Sequence, residues 1–352
     1  MSWIFNTPQV DEVALIAAAQ QLLSGRAEGR AESRAESRAE SRAPGFMSAV
    51  ELQEVTRVHG VDLATALAEL VFRTDEHNAR FLARCAACPV GAAAGLARGA
   101  PLAVIPTMYH RERPELGGDG RLVIEIATRL GFTPQSLAVG SLDSISSNAE
   151  RLITQLVRWD QPRWVVSISK GTADLKQALI RRPDLAERVA GWISLAGMPG
   201  GTPLAGERDG GPLARAMIEG WLRLRGARSG MLAEMSDTHS YSIAPAVLPP
   251  SGAVINVVPM PLACHLRKPV DRPYASLAAG GPNDGYVPLA AALLPGAVVP
   301  LWGADHYLRV PELVPTLYRL LRLAAEAQGN AVRLPGFSPT SGTARPQPGP
   351  CG

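Results

Sequence analysis

Apolar and polar positions give the chain three textures. Between Val10 and Leu23 the apolar residues recur at helical spacing and stop at Ser24-Gly25. Val50, Val55, Val58, Leu63, Leu67, Leu70 and Val71 form helical faces again, broken at Gly60, and Ser48 with Glu51 has the spacing of a capping box. From residue 101 short runs of the buried-strand type alternate with amphipathic stretches. Strands are predicted at 101–106, 136–140, 163–168, 191–196, 253–258 and 297–302. Helices are predicted at 146–159, 171–181 and 311–325, and Asp119 is read as the N-cap of a further helix ending at Leu130. This alternation predicts an α/β class: a mostly parallel sheet of about six strands with helices on both faces.

Two segments interrupt that rhythm. Residues 26–42 read RAEG-RAES-RAES-RAES-R, a period of four. On a helix this stacks Arg30, Arg34 and Arg38 in one column and Glu32, Glu36 and Glu40 in another, so every i,i+4 pair is between like charges. A mobile spacer is therefore expected over 26–45, with a transient helix as the alternative. Residues 202–250 form an insertion between strands, with a helix read at 213–224, which is either a lid over a site or a helical decoration. The resulting organisation is an N-terminal helix (1–25), the spacer (26–45), a helical extension (46–100), the α/β domain (101–328) with its insertion, and a Pro/Gly-rich tail (329–352) expected to be disordered.

Composition narrows the function. The chain has 352 residues, 46% apolar and 19% charged, which suits a folded protein with a sizeable core. A net charge of +3 and 5% aromatics argue against a nucleic-acid partner. No run reaches the ~18 apolar residues of a membrane span. Asp11 and Glu12 stand where a signal peptide carries basic residues, so a cytoplasmic protein is expected. Four cysteines are too few for a disulfide scaffold. Cys85 and Cys88 form one CxxC, with His77 as a third metal ligand at most, and two small residues near a helix end are the simpler reading. No P-loop and no GxGxxG after a strand occurs, so no cofactor is expected.

The segment with chemistry is Trp164-Val165-Val166-Ser167-Ile168-Ser169-Lys170-Gly171. A β-branched strand runs through a small-x-Ser-x-Gly turn straight into a helix, the pattern of a nucleophile elbow. The turn demands small residues two before and two after its tip, where Ser167 and Gly171 stand. Ser169 at the tip would sit above a helix N-terminus, which favours negative charge. Downstream, Asp284 lies in the loop Gly280-Gly281-Pro282-Asn283-Asp284-Gly285, and His306 lies just past the last strand in Gly303-Ala304-Asp305-His306. Asp209 is the main rival to Asp284. His239 and His265 compete with His306 but do not follow a final strand. His110 and Asp305 are read as a surface and a local loop residue. Lys170 is either kept for substrate or merely tolerated.

With the elbow, the PNDGYVP run and the WGADHY run, residues 101–325 resemble an α/β-hydrolase-fold serine hydrolase of the lipase/esterase type. The resemblance implies Ser169 as nucleophile, His306 as general base and Asp284 as the acid that orients it. It further implies an oxyanion hole from the backbone N–H of Lys170 and that of Met108 or Tyr109. The loop Pro106-Thr107-Met108-Tyr109-His110 departs from the His-Gly type common in the family, and the two strands that usually open the fold are missing. Met217 and Trp221 of the insertion, with Tyr109, are candidates to line an apolar pocket. The expected partner is a small ester-like molecule with an apolar acyl or aryl group, cleaved through an acyl-enzyme. The alternative is a non-hydrolytic protein of the same fold, a small-molecule or peptide binding module, an acyltransferase or an isomerase. Oligomeric state is not legible.

Overall fold

The computed structural model describes residues 11–33, 46–206, 220 and 230–330. Six strands form one parallel sheet: β1 (Pro101–Ile105), β2 (Thr133–Ser136), β3 (Arg163–Ile168), β4 (Val189–Leu195), β5 (Val254–Met260) and β6 (Ala297–Trp302). Their order is β2-β1-β3-β4-β5-β6. The helices are α1 (Glu12–Ser33), α2 (Ala49–His59), α3 (Val61–Thr74), α4 (Glu76–Ala87), α5 (Arg121–Arg129), α6 (Ile145–Leu156), α7 (Lys170–Arg181) and α8 (Leu313–Asn330), with short helical turns between them.

Strand periodicity divides the core into two layers. Leu102, Val104, Trp164, Val166, Ile193, Leu195, Ile255 and Val257 face α4, α5 and α8. Ala103, Ile105, Val165, Trp192 and Val254 point the other way, onto α6 and α7. Burying one such side chain stabilises by about 1.5–3 kcal/mol, so β3 and β4, buried on both faces, anchor the domain. Trp164 is matched by Gly191 on the neighbouring strand. A Cβ there would lie 2.5–2.6 Å from the indole ring, so only glycine lets the ring lie flat.

The helical extension covers the β6 edge. Asn78 of α4 donates from Nδ2 to the Phe72 and Val298 carbonyls (2.7 and 2.8 Å), and its Oδ1 accepts from the Val298 N–H (2.8 Å). A buried side-chain amide thus completes the outer hydrogen bonds of an edge strand. Ser48 and Glu51 form the capping box at the start of α2. Helix α1 packs through Ala19 against Ala66 and Leu67 of α3.

Local differences from the sequence reading have physical causes. Helix α1 does not stop at Ser24-Gly25 but continues to Ser33, into the repeat expected to be a mobile spacer. The Ser24 hydroxyl folds back on the Gln20 carbonyl (3.0 Å) and stays inside the helix. The like-charge columns cost only a few tenths of a kcal/mol per pair, too little to end it. The strand expected at 136–140 lies at Thr133–Ser136 instead. Past Leu137 the N–H groups of Ala138 and Gly140 are taken by the side chains of Gln155 and Asn148 on α6, so the backbone leaves the sheet. Gly120, not Asp119, occupies the N-cap of α5, although Asp119 Oδ1 still accepts from Arg121 N at 3.1 Å. The remaining repeat, Asp209, Met217, Trp221 with all but Gly220 of the helix read at 213–224, and the tail from 331 lie outside the described residues. Among the described residues no helix is long and apolar enough to cross a membrane.

Candidate active site

The elbow follows from steric demands on three residues. Between the end of β3 and the start of α7, Ser169 takes φ 48° and ψ −116°. That is the mirror image of the extended region, which an L side chain disfavours by roughly 1–3 kcal/mol. Its N–H is fixed to the Leu195 carbonyl at 2.9 Å. At Gly171 a Cβ would sit 2.8 Å from the Ile105 carbonyl oxygen, so glycine alone fits. Ser167, where the family pattern has glycine, is buried, and its Oγ bonds Thr172 Oγ1 (2.7 Å) and accepts from Trp192 Nε1 (2.8 Å). The departure is therefore a buried hydrogen-bond junction under the turn.

Three side chains converge there: Ser169 just past β3, Asp284 from the long connection between β5 and β6, and His306 just past β6. Ser169 Oγ lies 2.9 Å from His306 Nε2, and His306 Nδ1 lies 2.7 Å from Asp284 Oδ2. The other carboxylate oxygen of Asp284, Oδ1, accepts from the N–H groups of Tyr286 (2.9 Å) and Val287 (2.8 Å). The backbone closes the same unit, since His306 N–H donates to the Asp284 carbonyl at 2.9 Å. Burial works to lower the imidazole's affinity for protons. The charge and hydrogen bond of Asp284, helped by Asp305, outweigh burial, and His306 titrates above its ordinary value. Asp305 itself forms an ion pair with Arg309 and accepts from Tyr307 N (3.0 Å), a local loop role.

The rival residues are placed elsewhere. His239 accepts from Tyr241 N at 3.4 Å at the start of a helical turn. His265 pairs with Glu12 (2.9 Å), which also accepts from Trp302 Nε1 (2.8 Å). His110 Nδ1 bonds the Thr107 carbonyl at 2.7 Å, and burial lowers its pKa.

Lys170 does not face the cleft. Its ammonium is buried on Asp174 Oδ1 at 2.7 Å, one helical turn along α7. Asn148 Nδ2 supports the other carboxylate oxygen at 2.9 Å. Burial pushes the Asp174 carboxyl up, against the pull of Lys170 and Asn148. This pair anchors the helix that carries the elbow. Asp174→Ala leaves a buried ammonium without its counter-charge, and we expect a loss of about 3–5 kcal/mol, read as a lower urea midpoint. Lys176, on the same helix, donates to the Pro199 and Ser242 carbonyls (2.9 and 3.0 Å) and ties α7 to the insertion's return; burial pushes its ammonium down to about 8.

The loop after β1 corrects one candidate. Tyr109 N–H donates to the Ser141 carbonyl at 3.2 Å, so it is spent and is not an oxyanion donor. Thr107 N–H is likewise bonded to Gly118. Met108 N–H has no acceptor among the described residues. Lys170 N–H points at Thr107 Oγ1, 3.3 Å away, a hydroxyl that sequence reasoning passed over. Its signal was position alone, next to the oxyanion loop's central residue. The side chains of Met108 and Tyr109 pack against a cluster holding Leu142, Met198, Met231, Met235 and Val287, so the described insertion residues Met231 and Met235 are buried as packing.

Among the described residues Glu12, Cys264 and His265 are the group with metal-type donors close together. His265 Nδ1 accepts from Leu262 N–H (3.0 Å), which puts its proton on Nε2 facing Glu12, a hydrogen-bonding and not a ligating state. Cys85 and Cys88 are buried at the end of α4 while His77 is exposed, and burial raises the Cys85 thiol to about 12.

A parallel sheet of this order, with a strained serine between β3 and its helix and the acid and histidine past later strands, defines an α/β-hydrolase fold. The structure is similar to that of a metagenomic carboxyl esterase, with TM-score 0.50 and 23% identity, covering 69% of this chain and 78% of that one. A Bacillus licheniformis lipase in its mature form has TM-score 0.45 and 19% identity over 66% of this chain and 96% of its own. A mouse α/β-hydrolase domain-containing protein has TM-score 0.39 and 16% identity over 66% and 90%. No family model and no curated protein matches the chain.

Proposed function

We propose that this chain is a serine hydrolase that cleaves an ester, thioester or amide of an apolar acyl or aryl substrate. The reading is carried by the hydrogen-bonded relay from Ser169 Oγ through His306 to Asp284. A serine hydroxyl is a poor nucleophile until a base takes its proton. His306 Nε2 accepts that proton as Oγ bonds the carbonyl carbon, and the carbonyl oxygen becomes an oxyanion. The C–X bond then breaks, His306 gives the proton to the leaving atom, and an acyl group remains on Ser169. Water repeats the sequence and restores the serine. Asp284 holds the proton of the neutral imidazole on Nδ1 and stabilises the imidazolium.

We read the N–H of Met108 as one oxyanion donor and that of Lys170 as the second, the latter on exchanging Thr107 Oγ1 for the substrate oxygen. The Thr107 hydroxyl accepts from Lys170 N–H, and we read its own proton as a third donor once Lys170 N–H turns to the substrate oxygen. Thr107→Val is expected to lower kcat by about a hundredfold with little change in KM, while Thr107→Ser retains activity. The partly exposed side chains of Met108 and Tyr109 at the edge of the apolar cluster favour an apolar acyl or aryl group, and the carboxyl esterase among the similar structures favours an ester.

The test uses the intact protein with nitrophenyl esters of increasing chain length and a fluorophosphonate probe. Hydrolysis together with probe adduct on Ser169 supports the reading. A folded protein that neither hydrolyses any ester nor takes the probe overturns it in favour of a binding module.

A further inference from the structure

A histidine held by two in-plane hydrogen bonds is still free in one direction. The bonds at Nδ1 and Nε2 fix the ends of the ring, and the ring can rock about the line joining them. The terminal torsion of histidine is broad and does little to prevent this. In this site two rings flank the imidazole: Tyr307, whose centroid lies 6.2 Å from that of His306, and the nearer Tyr286. Its ring centroid lies 5.2 Å from that of His306, with the planes 63° apart.

Tyr286 is itself fixed at three points. Its N–H donates to Asp284 Oδ1 at 2.9 Å. Its carbonyl accepts from Thr202 Oγ1 at 2.5 Å, at the root of the insertion. Its hydroxyl lies 3.4 Å from that of Tyr307, whose ring stands edge-on to it at 5.9 Å. The residue that helps hold the acid therefore also walls the base.

We propose that Tyr286 is a positioning residue for His306: its ring holds the imidazole plane so that Nε2 stays aimed at Ser169. The inference rests on the serine-hydrolase reading of the same three residues. The ring is what acts, and the hydroxyl is dispensable, because a 3.4 Å O–H···O contact is long and weak. Loss of the wall lets Nε2 wander from its line to Oγ, which slows proton transfer.

The experiment measures steady-state ester hydrolysis and the rate of fluorophosphonate labelling in the full-length protein. Tyr286→Leu is expected to lower kcat and the labelling rate roughly tenfold to a hundredfold. Tyr286→Phe is expected within about twofold of the wild type. Rescue by phenylalanine separates the ring's role from general damage to the loop. If Tyr286→Leu is not recovered folded, Tyr286→Met fills a similar volume with a flexible chain and is expected to show the same loss. A folded leucine or methionine variant labelled at the wild-type rate overturns the proposal, as does a phenylalanine variant as slow as leucine. A wild type that takes no probe at Ser169 overturns the hydrolase reading, and this proposal with it; normal wild-type labelling with an unaffected Tyr286→Leu overturns the positioning role alone.

Discussion

With Ser169 as the proposed nucleophile, Ser169→Ala is expected to lower kcat by about 10⁶-fold, because it removes the hydroxyl that His306 Nε2 faces at 2.9 Å. The measurement is hydrolysis of an ester that the wild type turns over, with loss of probe labelling beside it. A second substitution at the same position sharpens the argument. The φ of 48° and ψ of −116° disfavour any L side chain, while glycine adopts them freely. Ser169→Gly is therefore expected to be equally inactive and yet more stable than the wild type, by about 1 kcal/mol. Activity and stability move in opposite directions only if the strain serves to present the hydroxyl. A Ser169→Ala protein with normal turnover would remove the enzymatic interpretation.

Asp284→Asn is expected to lower kcat by about 10⁴-fold. The cause lies in the hydrogen bonds around the carboxylate. Oδ1 accepts from Tyr286 and Val287, so the carbonyl end of an introduced amide keeps that place. Its NH₂ end then faces His306 Nδ1 and needs an acceptor there. The imidazole must move its proton to Nε2, the nitrogen that has to receive the serine proton, and the base is blocked. The pH profile follows. The active form of His306 is neutral, and its pKa is raised, so wild-type kcat/KM falls as pH drops through a value above the ordinary one for histidine. With the charge of Asp284 gone, burial still disfavours the imidazolium, so the acid limb of the residual activity shifts to lower pH. A variant whose acid limb stays put or rises would contradict this account of the relay.

Much of the architecture was legible because strand periodicity and elbow sterics are local. β3 and β6 occupy the residues predicted, since short, mostly apolar runs between turn residues leave few alternatives. The second strand was misplaced because Leu137 and Val139 extend the apolar run although side chains from α6 have taken over the backbone. Position relative to strand ends brought Ser169, Asp284 and His306 forward as candidates. The partners of those residues were not legible. Thr107 and Tyr286 enter the site through backbone geometry and ring packing, which leave no periodic trace. The destination of Lys170 was equally hidden: its i,i+4 spacing to Asp174 is ordinary on any helix, and only burial distinguishes it.

Asn78 gives the helical extension a protective meaning. The groups it satisfies on Val298 are those through which a border strand recruits a foreign one. A version of this protein lacking the segment through α4 would present an unguarded rim, and its molecules would join one another through it instead of remaining separate. The segment ahead of the first strand thus contributes to colloidal behaviour as much as to packing.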